Sequence, residues 1–251
     1  MSYFSKSNNN SFHHSNYKET TMTNKSYRNN SLDTMNPAPR CPVILLLDTS
    51  SSMCGAPINE LNEGLCQFIK ETSEDEAASM SVELEVITFD NDASIVLPFT
   101  PISDVQRNAT KLKASGMTAM GAALTLAERD LRNRRREYRN AGISAYHPWV
   151  ILMTDGGPND DWAVPAEKMR KRGESGDIMY LGIEIGSCAD HQTMCQILPA
   201  NSAPVKLQGL KFKRFFRWLT ETLGSISSSA VSDQDNVTIP GIRSWADLAG
   251  M

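Results

Sequence analysis

Closely spaced oxygen donors follow an apolar stretch early in the chain. Residues 43–47 are all apolar, and Asp48, Ser50 and Ser52 come directly after them. Such a run predicts a strand buried on both faces, and side chains at the carboxyl end of a central strand commonly line a binding crevice. Residues at positions i, i+2 and i+4 of a loop that leaves a strand can converge on one point. One carboxylate and two hydroxyls at that point favour Mg²⁺ or Mn²⁺ over zinc.

A second apolar stretch also ends close to a carboxylate. Residues 149–153 are apolar, and Asp155 follows them with two glycines after it that allow a sharp turn. If the two strands are parallel neighbours, Asp48 and Asp155 lie at the same edge of the sheet and can balance the charge of a divalent cation. Thr118, at the start of a predicted helix, offers a further hydroxyl, with capping of that helix as the alternative role.

Together these residues resemble the metal-ion-dependent adhesion site of von Willebrand factor type A domains. Asp48, Ser50 and Ser52 fill the first motif of that site, and Thr118 and Asp155 fill the other two. The resemblance implies that the serines, and sometimes the threonine, bind the ion directly, while the aspartates often act through water. The predicted metal ligands are therefore these five residues, with Mg²⁺ favoured and Mn²⁺ or Ca²⁺ as alternatives.

The resemblance spans residues 42–227. Within the family, the sequence is more specifically similar to the bacterial TerY-like group of stand-alone A-domain proteins associated with tellurium resistance. The resemblance implies a module that binds an Asp or Glu of a partner protein through the metal. The implied role is an adaptor or scaffold beside a protein kinase and a PP2C-type phosphatase, in stress or phage-defence signalling. An assembly subunit that recruits an AAA+ ATPase is the alternative, and a Mg²⁺-dependent hydrolase is a less favoured one. Because no phosphate-binding glycine loop or nucleophile elbow stands out, a non-enzymatic protein is expected.

The order of apolar patterns predicts an α/β fold. Strands and helices alternate along most of the chain, which indicates a doubly wound, mostly parallel six-stranded sheet with helices on both faces, a Rossmann-like arrangement. Residues 81–90 and 93–99 are interpreted as two strands joined by a short turn. That pair predicts one antiparallel edge strand, with Asp90 in a turn or capping role.

Composition restricts the classes of partner. The chain has 251 residues, 40% hydrophobic and 22% charged, and a net charge of −4, so neither nucleic acid nor an anionic membrane is expected as a partner. The first 34 residues lack the apolar core of a signal peptide, and the five cysteines form no paired motif, so a cytoplasmic protein is expected. The oligomeric state stays open.

The chain is predicted to contain one domain and two tails. Residues 1–34 are rich in Asn and Ser and predicted to be disordered, 41–227 form the A domain, and 228–251 form a tail that docks on its own domain or serves as a partner motif. The arginines within 129–139 are interpreted as a solvated helix face, with a patch for an acidic partner as the alternative. Two further aspartates, Asp160 and Asp161, are interpreted as a helix cap and a surface charge rather than as ligands. The cysteines are interpreted as reduced thiols, and Cys54 lies two residues beyond the metal loop, where a thiol can be exposed.

Overall fold

The structure, a computed structural model, describes residues 32–106, 111–200, 202–236, 241, 246 and 247. The predicted disordered tail of residues 1–34 lies almost entirely outside these ranges.

A mixed sheet forms the centre of the molecule, with the strand order β3-β2-β1-β4-β5-β6-β7. The strands, numbered in chain order, are β1 Cys41–Asp48, β2 Val82–Phe89, β3 Ala93–Pro101, β4 Trp149–Thr154, β5 Met179–Glu184, β6 Val205–Leu207 and β7 Ala246–Asp247. The strands from β2 to β6 in this order are parallel, and β3 is antiparallel to β2 at the edge. The predicted six-stranded, mostly parallel sheet with an antiparallel edge strand is therefore confirmed. The two-residue β7, antiparallel to β6, adds a seventh strand that the sequence patterns did not indicate.

Helices cover both faces of the sheet, as predicted for a doubly wound fold. They are α1 Ala56–Glu74, α2 Glu76–Ser81, α3 Met120–Ala141, α4 Ala163–Glu174, α5 His191–Ile197 and α6 Phe212–Ser227. Short 3-10 helices lie at Ser51–Met53, Ile102–Asp104 and Val231–Asn236. One apolar core lies between the sheet and α1, α2 and α6, and the other lies between the sheet and α3, α4 and α5. None of the helices in the described ranges has the length and hydropathy to cross a membrane.

Strand β1 is buried on both faces and connects the two cores. Val43, Leu45 and Leu47 belong to one core, and Ile44 and Leu46 belong to the other. Parallel pairing of β1 with β2 on one side and with β4 on the other fixes its position in the middle of the sheet. As a result, the carboxyl ends of β1 and β4 lie side by side.

Strand β2 contains two buried glutamates. Its alternation of apolar and acidic residues is typical of a strand with one solvated face, but Glu83 and Glu85 are only 1% and 2% exposed because α3 covers that face. The Arg134 side chain of α3 donates to Glu83 Oε2 from Nε at 2.7 Å, and the Tyr138 hydroxyl donates to the same oxygen at 2.5 Å. Arg134 is therefore part of the interior, and the prediction that the arginines of this helix are solvated is wrong for it. The prediction is correct for exposed neighbours such as Arg132.

Replacing Arg134 with alanine should lower the free energy of unfolding by about 3 kcal/mol or more, because the Glu83 carboxylate would lose its closest cationic partner in the interior. The matched control is Arg132→Ala on the same helix, whose side chain is 65% exposed. Its effect should stay within about 0.5 kcal/mol. Urea denaturation followed by circular dichroism measures both, and equal effects of the two substitutions would contradict the interior ion pair.

Glu85 should make stability depend on pH in an unusual direction. Burial, with the nearby negative charge of Asp130, raises the pKa of Glu85 from 4.5 to about 8. A carboxyl whose pKa is raised by folding stabilises the native state fully below pH 4.5, and this contribution is lost as the pH rises through about 8. Glu85→Gln should therefore raise the free energy of unfolding at pH 8 by more than about 1 kcal/mol, with a smaller change at pH 5.

The same pH series on Glu76→Gln supplies the control, since Glu76 is exposed on α2. An unchanged pH slope in Glu85→Gln would contradict the role assigned to the buried carboxyl.

Candidate metal centre

Four of the predicted ligands form one hydrogen-bonded group at the carboxyl ends of β1 and β4. Asp48 is the last residue of β1, and Asp155 directly follows β4. Ser52 Oγ donates to Asp155 Oδ1 at 2.6 Å, and Ser50 Oγ lies 2.9 Å from Ser52 Oγ. The Ser50 amide donates to Asp48 Oδ1 at 2.8 Å. Residues 103 positions apart in the chain thus face one another across this edge of the sheet.

The second carboxylate oxygen of Asp48 is held by a residue that the sequence patterns did not single out. Thr154, at the end of β4, donates its hydroxyl to Asp48 Oδ2 at 2.6 Å. This contact follows from register, since Leu47 of β1 pairs with Met153 of β4 and the next residues are neighbours. Both oxygens of Asp48 are therefore fixed in position.

Burial dominates the electrostatics of this group. Asp48 has no exposed surface and Asp155 is 9% exposed. The loss of solvent, with a smaller contribution from the charge of Asp155, raises the pKa of Asp48, although its hydrogen bonds to Ser50 and Thr154 act in the opposite direction. In the described part of the chain neither carboxylate forms an ion pair with Lys, Arg or His. A cation bound here would compensate two buried charges that the protein itself leaves unbalanced.

Thr118 lies at the same end of the sheet and is held by its backbone. Asn159 Oδ1 accepts from the Thr118 amide at 2.8 Å, and the Thr118 carbonyl accepts from the Asn159 amide at 3.1 Å. The side chain faces the loop after β4, since a Cβ at Gly156 would lie 3.9 Å from Thr118 Oγ1. All five predicted ligands therefore lie on loops at one edge of the sheet, and their binding of a metal stays a prediction.

The loop before Thr118 is tied to the loop after β1. The Ser115 amide donates to the Thr49 carbonyl at 2.8 Å, and Ser51 donates to the Gly116 carbonyl through both its amide and its hydroxyl. Gly116 has a φ of +75°, and a Cβ there would come within 2.8 Å of the Asn91 side chain. Glycine is therefore required at this close approach of two loops.

Capping of α3 is performed by Asp160 and not by Thr118. The Asp160 carboxylate accepts from the amides of Gly121 and Ala122 at 2.9 and 2.8 Å, so it binds two of the unpaired donors in the first turn. The helix-cap interpretation of Asp160 is consistent with these contacts, but the capped helix is one that precedes it in sequence. The Thr118 hydroxyl has no capping contact and stays available to an ion.

The donor set suits a hard cation. Two carboxylates and three hydroxyls supply oxygen ligands with a formal charge of −2, which matches Mg²⁺ or Mn²⁺. Among the residues that the structure describes, no group of three or more His, Cys, Asp or Glu could hold a metal. The chemistry of these side chains therefore fits a magnesium-type site and differs from a zinc centre of cysteines and histidines.

Comparison with known proteins identifies the family of this domain. A sequence model of the von Willebrand factor type A domain matches residues 43–206. The chain belongs to the von Willebrand factor type A family. A comparison with curated proteins gives no significant match in sequence.

Several solved structures share the von Willebrand factor A fold with this chain. A von Willebrand factor type A protein from Catenulispora acidiphila has 18% identity and a TM-score of 0.58, over 74% of this chain and 43% of its own. Proximal thread matrix protein 1 of the mussel byssus has 18% identity and a TM-score of 0.55, over 75% and 47%. A D319A mutant of the PilB minor pilin from Streptococcus sanguinis has 12% identity and a TM-score of 0.53, over 79% and 63%. The chain thus spans less than half the length of the first two, and the likeness concerns the fold alone.

Asp160→Ala should destabilise the domain by about 1–2 kcal/mol, because the first turn of α3 loses the acceptor for two amides. The neighbouring Asp161 is exposed and makes no such contact, so Asp161→Ala is the control and should change stability by less than about 0.5 kcal/mol. Thermal or urea unfolding measures both variants. If Asp161→Ala were the more harmful change, the assignment of the cap would be wrong.

Proposed function

We propose that this von Willebrand factor A domain is a divalent-metal-dependent protein-interaction module that recognises an acidic side chain of a partner protein. The observation that carries the proposal is the pair of buried carboxylates, Asp48 and Asp155, joined through Ser52 and Ser50 at the open edge of the sheet. Membership of a family whose domains commonly bind proteins through a metal supports it.

Ser50, Ser52 and Thr118 would hold the ion through neutral hydroxyl oxygens, while Asp48 and Asp155 balance its charge. With neutral hydroxyls bound directly and the aspartates acting through water, the ion would keep a strong preference for an anionic oxygen at its open position, so a carboxylate from another protein is a favourable further ligand. A partner's carboxylate could reach an ion at this site from the solvent side, since Asp48 is buried at the base of the group whereas Ser52 is exposed. Mg²⁺ is the proposed ion, with Mn²⁺ and Ca²⁺ as alternatives.

The proposed site binds and does not catalyse. Ser50 and Ser52 lie in a row of hydrogen bonds that ends on Asp155, and neither hydroxyl contacts a histidine or lysine that would act as a base among the described residues. These contacts favour a structural ligand role for the hydroxyls.

The finer role rests on the TerY-like resemblance of the motifs. We propose an adaptor or scaffold beside a protein kinase and a PP2C-type phosphatase in stress signalling, located in the cytoplasm. Cys41, Cys54, Cys188 and Cys195 are free thiols, which is compatible with a reducing compartment. Recruitment of an AAA+ ATPase is the alternative partner class, and kinase and phosphatase genes beside this one would favour the first role.

Metal binding is tested by titrating the protein with Mg²⁺ and Mn²⁺ in a calorimeter. Ser52→Ala and Asp155→Ala should each weaken binding by at least about tenfold, since each removes a predicted ligand. Ser51→Ala is the matched control because Ser51 is exposed and donates to the Gly116 carbonyl, outside the ligand set. Ser52→Ala that binds the ion as tightly as the wild type and Ser51→Ala would show that the ion does not use this group.

Partner recognition is tested by affinity capture from host lysate with the wild type, Ser51→Ala and Ser52→Ala, each in Mg²⁺ and in EDTA. A partner held through the ion should be retained by the wild type and Ser51→Ala in Mg²⁺, and lost from Ser52→Ala and from every EDTA sample. A partner retained in EDTA would mean that recognition does not pass through a metal.

A further inference from the structure

A carboxylate, an imidazole and a thiol form a row at the carboxyl end of β5, the strand next to β4 of the metal centre. Glu184 Oε1 lies 2.7 Å from His191 Nδ1, and His191 Nε2 lies 3.5 Å from Cys195 Sγ. The two ring nitrogens therefore face different partners. This is the spatial order of a nucleophile, its base and a group that orients the base.

Local structure explains why these three residues meet. His191 and Cys195 are four residues apart on α5, so they lie on one face of that helix. The helix lies close against β5 because Gly182 has no side chain: a Cβ there would come within 2.5 Å of Leu198 and 2.8 Å of Met194. This close approach places the start of α5 beside Glu184, the last residue of β5.

The burial of the three side chains is graded from the interior to the surface. Glu184 is 6% exposed, whereas the His191 side chain is 66% exposed and Cys195 is exposed. In the neutral imidazole, donation from Nδ1 to the Glu184 carboxylate leaves Nε2 as the acceptor that faces the Cys195 thiol.

We propose that Cys195 is a reactive thiol that His191 activates for exchange with small disulfides, such as oxidised glutathione. In the exchange the Cys195 proton moves to His191 Nε2 while the sulfur attacks one sulfur of the disulfide. A new S–S bond forms, the old one breaks, and the leaving thiolate takes the proton from the imidazolium. The products are a mixed disulfide at Cys195 and one small thiol, so atoms and electrons balance without another reactant.

The environment of the thiol makes the imidazole necessary. Partial burial and the negative charge of Glu184 raise the pKa of Cys195, which lowers its thiolate fraction at neutral pH. A thiol in this setting without a base should react more slowly than an ordinary exposed cysteine. Reaction faster than that of an ordinary cysteine therefore depends on proton transfer to His191.

The chain carries its own control thiols. Cys188 is exposed in the loop before α5, and Cys54 is exposed after β1, and neither contacts a histidine among the described residues. The experiment incubates the full chain with oxidised glutathione at pH 7 and follows each cysteine by peptide mass spectrometry. Wild-type Cys195 should form the mixed disulfide at least about tenfold faster than Cys188, a lower limit beneath the roughly 10²- to 10⁴-fold that a positioned base contributes.

The variant His191→Gln separates activation from simple exposure. It should slow Cys195 to below the rate of Cys188, because the raised pKa then acts alone, and it should leave Cys188 and Cys54 unchanged.

Wild-type Cys195 that reacts no faster than Cys188 would overturn the proposal, as would an unchanged Cys195 rate in His191→Gln. A faster Cys195 reaction in His191→Gln than in the wild type would also contradict activation by His191. Metal binding does not enter the assay, so the result is independent of the proposed interaction function.

Discussion

The burial of one carboxylate at the end of the central strand is the constraint on which the arrangement of loops depends. Asp48 is removed from solvent, and an unpaired charge in the interior is costly unless its oxygens are hydrogen-bonded. The Ser50 amide and the Thr154 hydroxyl provide those bonds from two separate parts of the chain. The hydrogen bond from Thr154 to Asp48 requires β1 and β4 to be adjacent, parallel and in the observed register. The same register places Asp155 opposite the serines. The geometry of the candidate metal centre therefore follows from the contacts that hold the Asp48 carboxylate in the interior.

Much of this fold could be predicted from the sequence because the strands that matter are apolar along their whole length. Residues 43–47 and 149–153 have no alternative to burial, and each is followed by polar residues that mark the edge of the sheet. The residues that support the site were less visible. Asn159 and Asp160 act on the start of α3, about forty positions earlier, and nothing local in their sequence indicates that target.

Tertiary packing also reversed the meaning of two local patterns. Glu83 alternates with apolar residues and Arg134 lies in an arginine-rich stretch, and each pattern alone is typical of a solvated face. Both are buried between β2 and α3, where Arg134 donates to Glu83 Oε2. His191 is equally invisible to sequence patterns, since its two partners, Glu184 and Cys195, meet it only when α5 packs on β5. The described part of the C-terminal tail packs on its own domain, through Gln234 at the His147 amide and through β7 at the edge of the sheet.

The loops that carry the five oxygen ligands are held in place by contacts between distant segments, such as Ser115 with Thr49 and Thr118 with Asn159. In an unfolded chain these segments are far apart, so the ligand group exists only in the native state. An ion that binds the group therefore binds the folded form alone, and mass action makes it a stabiliser whose effect grows with the logarithm of its free concentration. The surrounding concentration of divalent ions would then set two properties of the molecule together, its readiness to engage a partner and its resistance to unfolding.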